Sequence, residues 1–303
     1  MANGRVVGMA KRKKRRTNDK VQARRAARKA ARDNPPPTRP FEGLASEVDW
    51  VAMREIVPAA SAWVKTTEEY GAQDVQIVTL LPMLWPAMKR DDGVVVVALQ
   101  FVTNSGDPSR DAAAALLAAL DLEPGNPVHM PGLPGPGPRL QDVLDSSQPF
   151  EVTVHEDFSY AVDQDSTDDP QVAQALSESA ENIVPTVKLE TVEGAYWCRM
   201  GEREFLRWVR PDAEEALLDG LARLHADHAS SFGDDSRLIG TFRANGLVVP
   251  VWELAKGAEA DEIDPLVGEF QAAVDEAVAI TDDLTPQQRR ARAGLVSRQV
   301  TLR

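Results

Sequence analysis

Cysteine is almost absent from this chain, and long apolar runs are missing. Its 303 residues contain one cysteine, Cys198, which excludes an internal disulfide and is typical of a reducing compartment. The longest apolar runs, VVVVAL at 94–99 and AAAALLAAL at 112–120, are too short to span a bilayer. No apolar segment follows the basic N-terminus, as a secretory signal would require. The sequence therefore predicts a soluble cytoplasmic protein that does not enter a membrane.

Motifs of common enzymes are also missing. There is no G-x-S-x-G elbow, no G-x-x-x-x-G-K-S/T phosphate loop and no G-x-G-x-x-G fingerprint. His225 and His228 lie one helical turn apart, but a zinc site needs a third ligand, and histidines at a helix end are usually surface residues. Cys198, within the apolar stretch YWCRM, is typical of a buried thiol. We therefore predict no catalytic residue, no metal and no cofactor, and an enzyme is the less favoured class.

Charge is divided unevenly along the chain. The formal net charge is −13, yet residues 1–40 contain fourteen Lys and Arg against two Asp, a net charge of +12. Residues 41–303 contain twenty basic and forty-five acidic side chains, a net charge of −25. Such asymmetry indicates an interaction segment attached to an acidic body, although an acidic body by itself is commonly a device for solubility.

The basic N-terminal segment carries the candidate nucleic-acid-binding residues. Six consecutive basic residues follow Met9, which is therefore an alternative start to Met1, and a second basic group recurs at helical spacing among alanines. The proline-rich stretch at 34–40 ends any helix there. Because like charges at this spacing repel, we expect disorder in isolation and a helix against phosphates, as in arginine-rich RNA-binding segments. The candidates are Lys11, Arg12, Lys13, Lys14, Arg15, Arg16, Arg24, Arg25, Arg28, Lys29 and Arg32.

Two other features suit nucleic acid, and each has a simpler interpretation. Trp197 and Trp208 lie in neighbouring predicted strands that also carry arginines, a pattern that suits stacking of unpaired bases but equally suits amphipathic strands over a core. Thr285 and Pro286 predict the start of an arginine-rich last helix, which is alternatively an ordinary helix docked on the acidic body.

The body reads as an α+β fold that contains a weak internal repeat. We predict strands at 61–66, 75–81 and 94–102 and a helix capped by Asp107. RLQDVLDSSQPFEVTVHE from Arg139 matches RLIGTFRANGLVVPVWEL from Arg237, and both are predicted to form helix-turn-strand. Two helical stretches also recur at similar offsets: DAAAALLAAL at 111–120 matches DAEEALLDGL at 212–221, and a third stretch, DPQVAQALSESAENI from Asp169, matches DPLVGEFQAAVDEAV from Asp264. The sequence thus predicts a tandem duplication with a groove between the modules. Predicted boundaries are 1–40 for the disordered arm and linker, 41–184 and 185–281 for the modules, and 282–303 for the basic helix.

Several stretches together resemble a known family. RPFEGLASEVDWVAMREIVPAA at 39–60, LLPMLWPAM, GDPSRDAAAALLAAL and GTFRANGLVVPVWEL are similar to an uncharacterised actinobacterial family with a basic N-terminal tail and an acidic body. The resemblance covers essentially the whole chain. It implies an actinobacterial cytosolic origin and implies no activity.

These observations favour a non-enzymatic protein that binds RNA or the ribosome through its basic arm. The alternative hypothesis is a protein-interaction adaptor, with a protein partner, whose tail only solubilises it or folds back on its own acidic surface. A third hypothesis is an unrecognised enzyme that works in the groove between the modules.

Overall fold

Two β-sheets organise the chain between residues 60 and 253. The computed structural model describes residues 36–297, apart from residues 131, 162–173, 175–176, 179, 182 and 234. The candidate nucleic-acid-binding residues between Lys11 and Arg32 therefore lie outside the described residues. The chain divides into two units, Met1–Thr38 and Arg39–Arg303, and both sheets belong to the second.

The first sheet has six strands in the order β5-β3-β4-β2-β1-β6. Only β2 and β4 pair in parallel, with Val75 opposite Val95. The run of valines in β4 is buried on both faces, because Val95 and Val97 join one core while Val96 joins another. Its strands are β1 (Ala60–Lys65), β2 (Asp74–Val78), β3 (Ala87–Lys89), β4 (Val95–Ala98), β5 (Asn126–Pro127) and β6 (Thr153–Val154).

The second sheet is antiparallel throughout and has the order β10-β11-β9-β8-β7. Asn245 and Gly246 form the hairpin turn between its two longest strands, both at positive φ, as a two-residue hairpin turn requires. Its strands are β7 (Thr186–Lys188), β8 (Ala195–Met200), β9 (Arg203–Trp208), β10 (Arg237–Ala244) and β11 (Leu247–Glu253).

Helices pack on both sheets. Among the described residues they are α1 (Glu47–Glu55), α2 (Pro108–Leu120), α3 (Leu140–Val143), α4 (Glu214–Ala226), α5 (Ala260–Ala279) and α6 (Pro286–Ser297). Asp107 accepts a hydrogen bond from the Arg110 amide and caps α2, and Thr285 with Gln288 caps α6 reciprocally, as the sequence predicts. No helix in the described part of the chain has the length and apolar character to cross a bilayer.

Two aromatic clusters hold the cores together. In the larger core, Trp50 of α1 stacks on Phe150 with ring centroids 4.0 Å apart. That core also takes in Tyr196 and Val249 of the second sheet, so it crosses the predicted boundary between residues 184 and 185. A second core is built around Trp208, Trp252 and Phe270 under α4 and α5, separate from the small one that contains Val96. Helix α1 is thereby fixed between the two sheets.

The α+β class is confirmed, and the tandem duplication is not. The predicted strands at 61–66, 75–81 and 94–102 correspond to β1, β2 and β4. The matched stretches from Arg139 and Arg237 fold differently, since Leu140 begins the short helix α3 and Leu238 lies in β10. Only the first sheet contains a parallel pair. The matching helices at 111–120 and 212–221 do both fall in helices, α2 and α4, whereas most of the third matched stretch lies outside the described residues.

The prediction of helix-turn-strand for residues 237–254 is wrong. The segment is the hairpin β10–β11, and in β11 Leu247 and Val249 pack in one core while Val248 between them packs in another. That two-residue period belongs to a strand, and Asn-Gly between apolar runs is a strong hairpin signal. The two-residue period and the Asn-Gly pair therefore predict this segment better than its match to the stretch from Arg139 does.

Candidate functional site

A cavity lies where the two sheets approach each other. We call it the cleft; its volume is about 890 Å³, within the range of ligand sites. One wall is the segment that contains β6, and the other contains β7 and the loop after it. The start of α1 contributes Ser46 and Asp49. Its lining is residues 46, 49, 149–152, 154–156, 186–190, 192 and 193.

A buried polar cluster joins α1 to the second sheet inside the cleft. Asp49 is 1 % exposed; its Oδ2 lies 2.6 Å from the Lys188 Nζ, and its Oδ1 accepts a hydrogen bond from the Tyr196 hydroxyl at 2.8 Å. Burial raises the pKa of Asp49, while Lys188 and Tyr196 act in the opposite direction. Burial and the neighbouring Asp49 carboxylate raise the pKa of Tyr196 well above its usual value, so the phenol stays protonated and donates.

The sequence did not reveal this role of Asp49. SEVD at 46–49 predicts a capping box, in which the fourth side chain reaches back to the first residue. In the structure Ser46 has a left-handed backbone with φ of 52° and makes no side-chain cap, and Asp49 turns towards Lys188 and Tyr196 instead. The available signal was an acidic residue among the apolar residues of α1, whose partners lie some 140 residues away along the chain.

The rim of the cleft is negatively charged. Glu151, Glu156, Glu190 and Glu193 line it, and their side chains are exposed; we call these four residues the acidic rim. No described cation pairs with any of them within 4 Å, and the one lysine of the cleft is engaged by Asp49. Unpaired carboxylates are common on this acidic body, but these four converge on one concave surface. The cleft therefore repels phosphates and attracts cations.

Both long walls of the cleft are the edges of sheets. Among the described strands, β6 pairs with β1 alone and β7 with β8 alone. The amide of Leu189 donates to Ala195 and the carbonyl of Pro185 accepts from Arg199, so by alternation the backbone groups of Thr186 and Lys188 point away from β8. No backbone partner for those groups occurs in the described part of the chain. β6 approaches this edge of β7 with Cα atoms within 8 Å, so the edge is partly covered by the first sheet.

A serine and a histidine meet at one end of the cleft. Ser61 Oγ lies 2.8 Å from His155 Nε2, and the imidazole packs against the ring of Tyr160. Burial lowers the pKa of His155, and the nearby Asp157 opposes this, so the ring is neutral near pH 7. Ser61 is only 6 % exposed. The hydrogen bond links β1 to the residue that follows β6.

The two tryptophans proposed for base stacking are buried. Trp197 is 3 % exposed and donates through Nε1 to the carbonyl of Ala258, and Trp208 is 1 % exposed and donates to the carbonyl of Glu193. Arg199 and Arg210 lie over these rings and are held by carboxylates. Because stacking needs an exposed ring face, the stacking hypothesis is wrong for both residues. The alternative, amphipathic strands over a core, is what the structure shows.

Other singled-out residues have structural roles. Cys198 is buried, as predicted, and burial raises the pKa of its thiol. In the last helix, Arg292 pairs with Glu215 and Asp219 of α4, so this helix docks on the acidic body. His225 hydrogen-bonds through Nδ1 to the Ser230 hydroxyl, and the described residues contain no group of three potential metal ligands.

Comparison with known proteins adds a family but no activity. The model of a family described as "Family of unknown function (DUF5926)" matches residues 40–303, which covers both sheets and the cleft. No curated protein and no solved structure matches the chain.

Proposed function

We propose that this chain, which belongs to the family of unknown function DUF5926, is a non-enzymatic RNA-binding protein whose basic segment supplies the affinity. The observation that carries the proposal is the division of charge, +12 in residues 1–40 against −25 in residues 41–303. RNA and the ribosome are the polyanions that a short arginine- and lysine-rich segment recognises.

The ion pairing of Lys and Arg in the body supports the assignment of phosphate binding to the basic segment. Of the eighteen Lys and Arg between residues 41 and 297, twelve hold a carboxylate within 4 Å. The other six donate hydrogen bonds to protein groups such as the carbonyls of Leu120 and Asp282. Two thirds of these cations are therefore already paired with a carboxylate, whereas the segment before residue 40 has fourteen Lys and Arg against two Asp, which favours that segment as the phosphate-binding part.

The test compares two variants of the full chain that lose the same charge. The arm variant carries glutamine at Arg24, Arg25, Arg28, Lys29 and Arg32. The control variant carries glutamine at five exposed cations of the body, Lys65, Arg203, Arg237, Arg243 and Lys256. Binding of a labelled 20-nucleotide single-stranded RNA is measured by fluorescence anisotropy between 50 and 200 mM salt, and ribosome co-sedimentation is measured at both limits.

The proposal expects the arm variant to bind RNA more weakly and with a flatter dependence on salt. Loss of five phosphate contacts lowers the log–log slope by about three to four for single-stranded RNA. The control variant should keep the slope of the unmodified chain. Equal losses in both variants would mean that net charge alone matters, and retained ribosome binding by the arm variant would overturn the proposal.

A second candidate function, a protein-interaction adaptor, is favoured by the cleft. An acidic concave surface suits a cationic protein ligand and does not suit RNA. The two functions are compatible, since they use different residues.

A further inference from the structure

We propose that one end of the first sheet joins two copies of this chain in a symmetric dimer. The parallel strands β2 and β4 both finish at this end. Because β3 starts opposite the end of β4, and β5 finishes opposite the start of β3, the loops after β2, β4 and β5 leave neighbouring strands together. The carboxyl ends of parallel strands are a common place for binding. We call these loops the uncharged end; its residues are 79–86, 99–106, 128–130 and 132–138.

The charge of this end is the first reason for the proposal. Although 27% of the chain is charged, the uncharged end contains no Asp, Glu, Lys or Arg, and the body around it has a net charge of −25. Depletion of charge marks the core of protein interfaces. In a symmetric dimer each patch faces a copy of itself, so a charged patch would repel its own image and an uncharged patch does not. Two acidic bodies can therefore meet at this end.

Exposed apolar side chains are the second reason. The three most exposed large apolar side chains of the described residues are Met83, Val102 and Leu133, which are 83%, 79% and 60% exposed. Each comes from a different loop of the uncharged end. Single exposed apolar residues are ordinary, but a group that spans neighbouring loops is typical of an interaction site. Twenty-one described residues of this end are exposed or half-buried, and a standard interface uses about 20–30 residues on each side.

The loop after β2 holds its apolar side chains outward. Met83 and Leu84 have φ of 54° and 57°, the left-handed region that residues other than glycine rarely adopt. The Leu84 amide donates to the Leu81 carbonyl at 3.1 Å, which fixes this turn. Backbone conformations of this kind persist where the surrounding structure imposes them, and they are concentrated at functional sites. The turn thus presents Met83 and Leu84 to the solvent in a defined position.

The loop after β5 is proline-rich and is fixed at both of its ends. The Val128 amide donates to the Ala87 carbonyl at 2.8 Å, and the Leu140 amide donates to the Ser109 hydroxyl at 3.1 Å. Prolines restrict the backbone, so less conformational entropy is lost when a partner covers such a loop. The loop also stands clear of the body, because a Cβ atom would meet nothing within 4 Å at three of its glycines, Gly132, Gly135 and Gly137.

The experiment measures the mass of the full chain by sedimentation equilibrium between about 1 and 100 µM, in 0.15 M and 1 M salt. The patch variant carries Met83→Glu, Val102→Glu and Leu133→Glu, which place three carboxylates on each side of the contact. Its matched control carries three substitutions of exposed apolar residues on other parts of the body, Leu266→Glu, Ile280→Glu and Val296→Glu. Circular dichroism checks that both variants are folded.

We expect the unmodified chain to have the mass of two chains at 100 µM in both salts, because apolar contacts survive salt that screens ion pairs. The patch variant should have a dissociation constant about tenfold higher or more, since like charges then face each other, and the control should leave it unchanged. A single-chain mass at 100 µM, which would leave this end to a different protein, overturns the proposal. Dissociation in 1 M salt or equal weakening in both variants also overturns it. The arm variant of the RNA test should dimerise unchanged, so the two proposals fail separately.

Discussion

Glutamates on the second sheet are paired with arginines, whereas the glutamates of the acidic rim have no described cationic partner. On the sheet, Glu253 of β11 holds both Arg203 of β9 and Arg237 of β10, and Glu204 holds Arg199 of the neighbouring strand. On the rim, four glutamates lie on either side of β6 and in the loop after β7, without a described cation within 4 Å of them. The same residue type is therefore matched across strands in one place and left unmatched in the other.

The contrast shows which part of this acidic chain has negative charge without a described cationic partner. Cross-strand pairs satisfy a flat sheet surface and contribute modestly to stability. Like charges gathered around a cavity lower stability slightly by mutual repulsion, and a bound cation would relieve that repulsion. The buried pair of Asp49 and Lys188 lies between these extremes, since it is matched but desolvated.

The largest effect is expected from breaking that buried pair. Lys188→Met leaves the carboxylate of Asp49 buried with only the Tyr196 hydroxyl as partner. Because Lys188 is itself about a quarter exposed, we take the low end of the usual range and expect a loss of about 3 kcal/mol in the free energy of unfolding at pH 7. Urea denaturation measures it. Lys65→Met, which removes an exposed lysine 4.0 Å from Asp74, is the control and should cost less than about 1 kcal/mol.

The pH dependence of Lys188→Met follows from the same contacts. Lys188 opposes the rise in the pKa of Asp49 that burial causes, so its removal raises that pKa further. A carboxyl with a raised folded-state pKa binds its proton more tightly in the folded state, and stability is lost as pH rises through the interval between the unfolded and folded values. The defect should shrink as pH falls towards 4. A defect that is constant between pH 4 and pH 7 would mean that lost packing, not charge, is responsible.

Sequence alone carried the fold class, three strands, the capped starts of α2 and α6 and the burial of Cys198, because each rests on local pattern or capping chemistry. It missed the hairpin at Asn245, because the prediction there followed the match between the stretches from Arg139 and Arg237 and not the two-residue period of a strand. It also missed the cleft chemistry. Asp49, Lys188 and Tyr196 lie on α1, β7 and β8 and meet only after the sheets have packed, so no spacing in the sequence records them.

A smaller effect is expected when a matched glutamate of the sheet is replaced. The side chains of Arg237 and Arg203 lower the pKa of Glu253, so its contribution to stability is present above the unfolded-state pKa and is lost as pH falls through the folded value. Glu253→Gln should cost about 0.5–1 kcal/mol at pH 7, discounted for the exposure of both arginines, and less at pH 3. Urea denaturation at the two pH values tests this. The same replacement at Glu190 should cost nothing at either pH, and an equal cost there would erase the contrast between sheet and rim.

The smallest effect has the opposite sign. Glu151→Gln combined with Glu193→Gln removes two of the four like charges of the acidic rim, and Glu193 also acts to raise the pKa of the buried Asp49. Without a ligand, the double variant should therefore be more stable than the unmodified chain, by about 0.3 kcal/mol at low salt. The gain depends on unscreened repulsion, so it should be present in 10 mM salt, where the Debye length is about 30 Å, and absent in 1 M salt, where it is about 3 Å. Paired urea titrations at the two salt concentrations measure the difference. Destabilisation at low salt would show that these carboxylates already have stabilising partners in the free protein, and the rim would then be no different from the matched surface of the sheet.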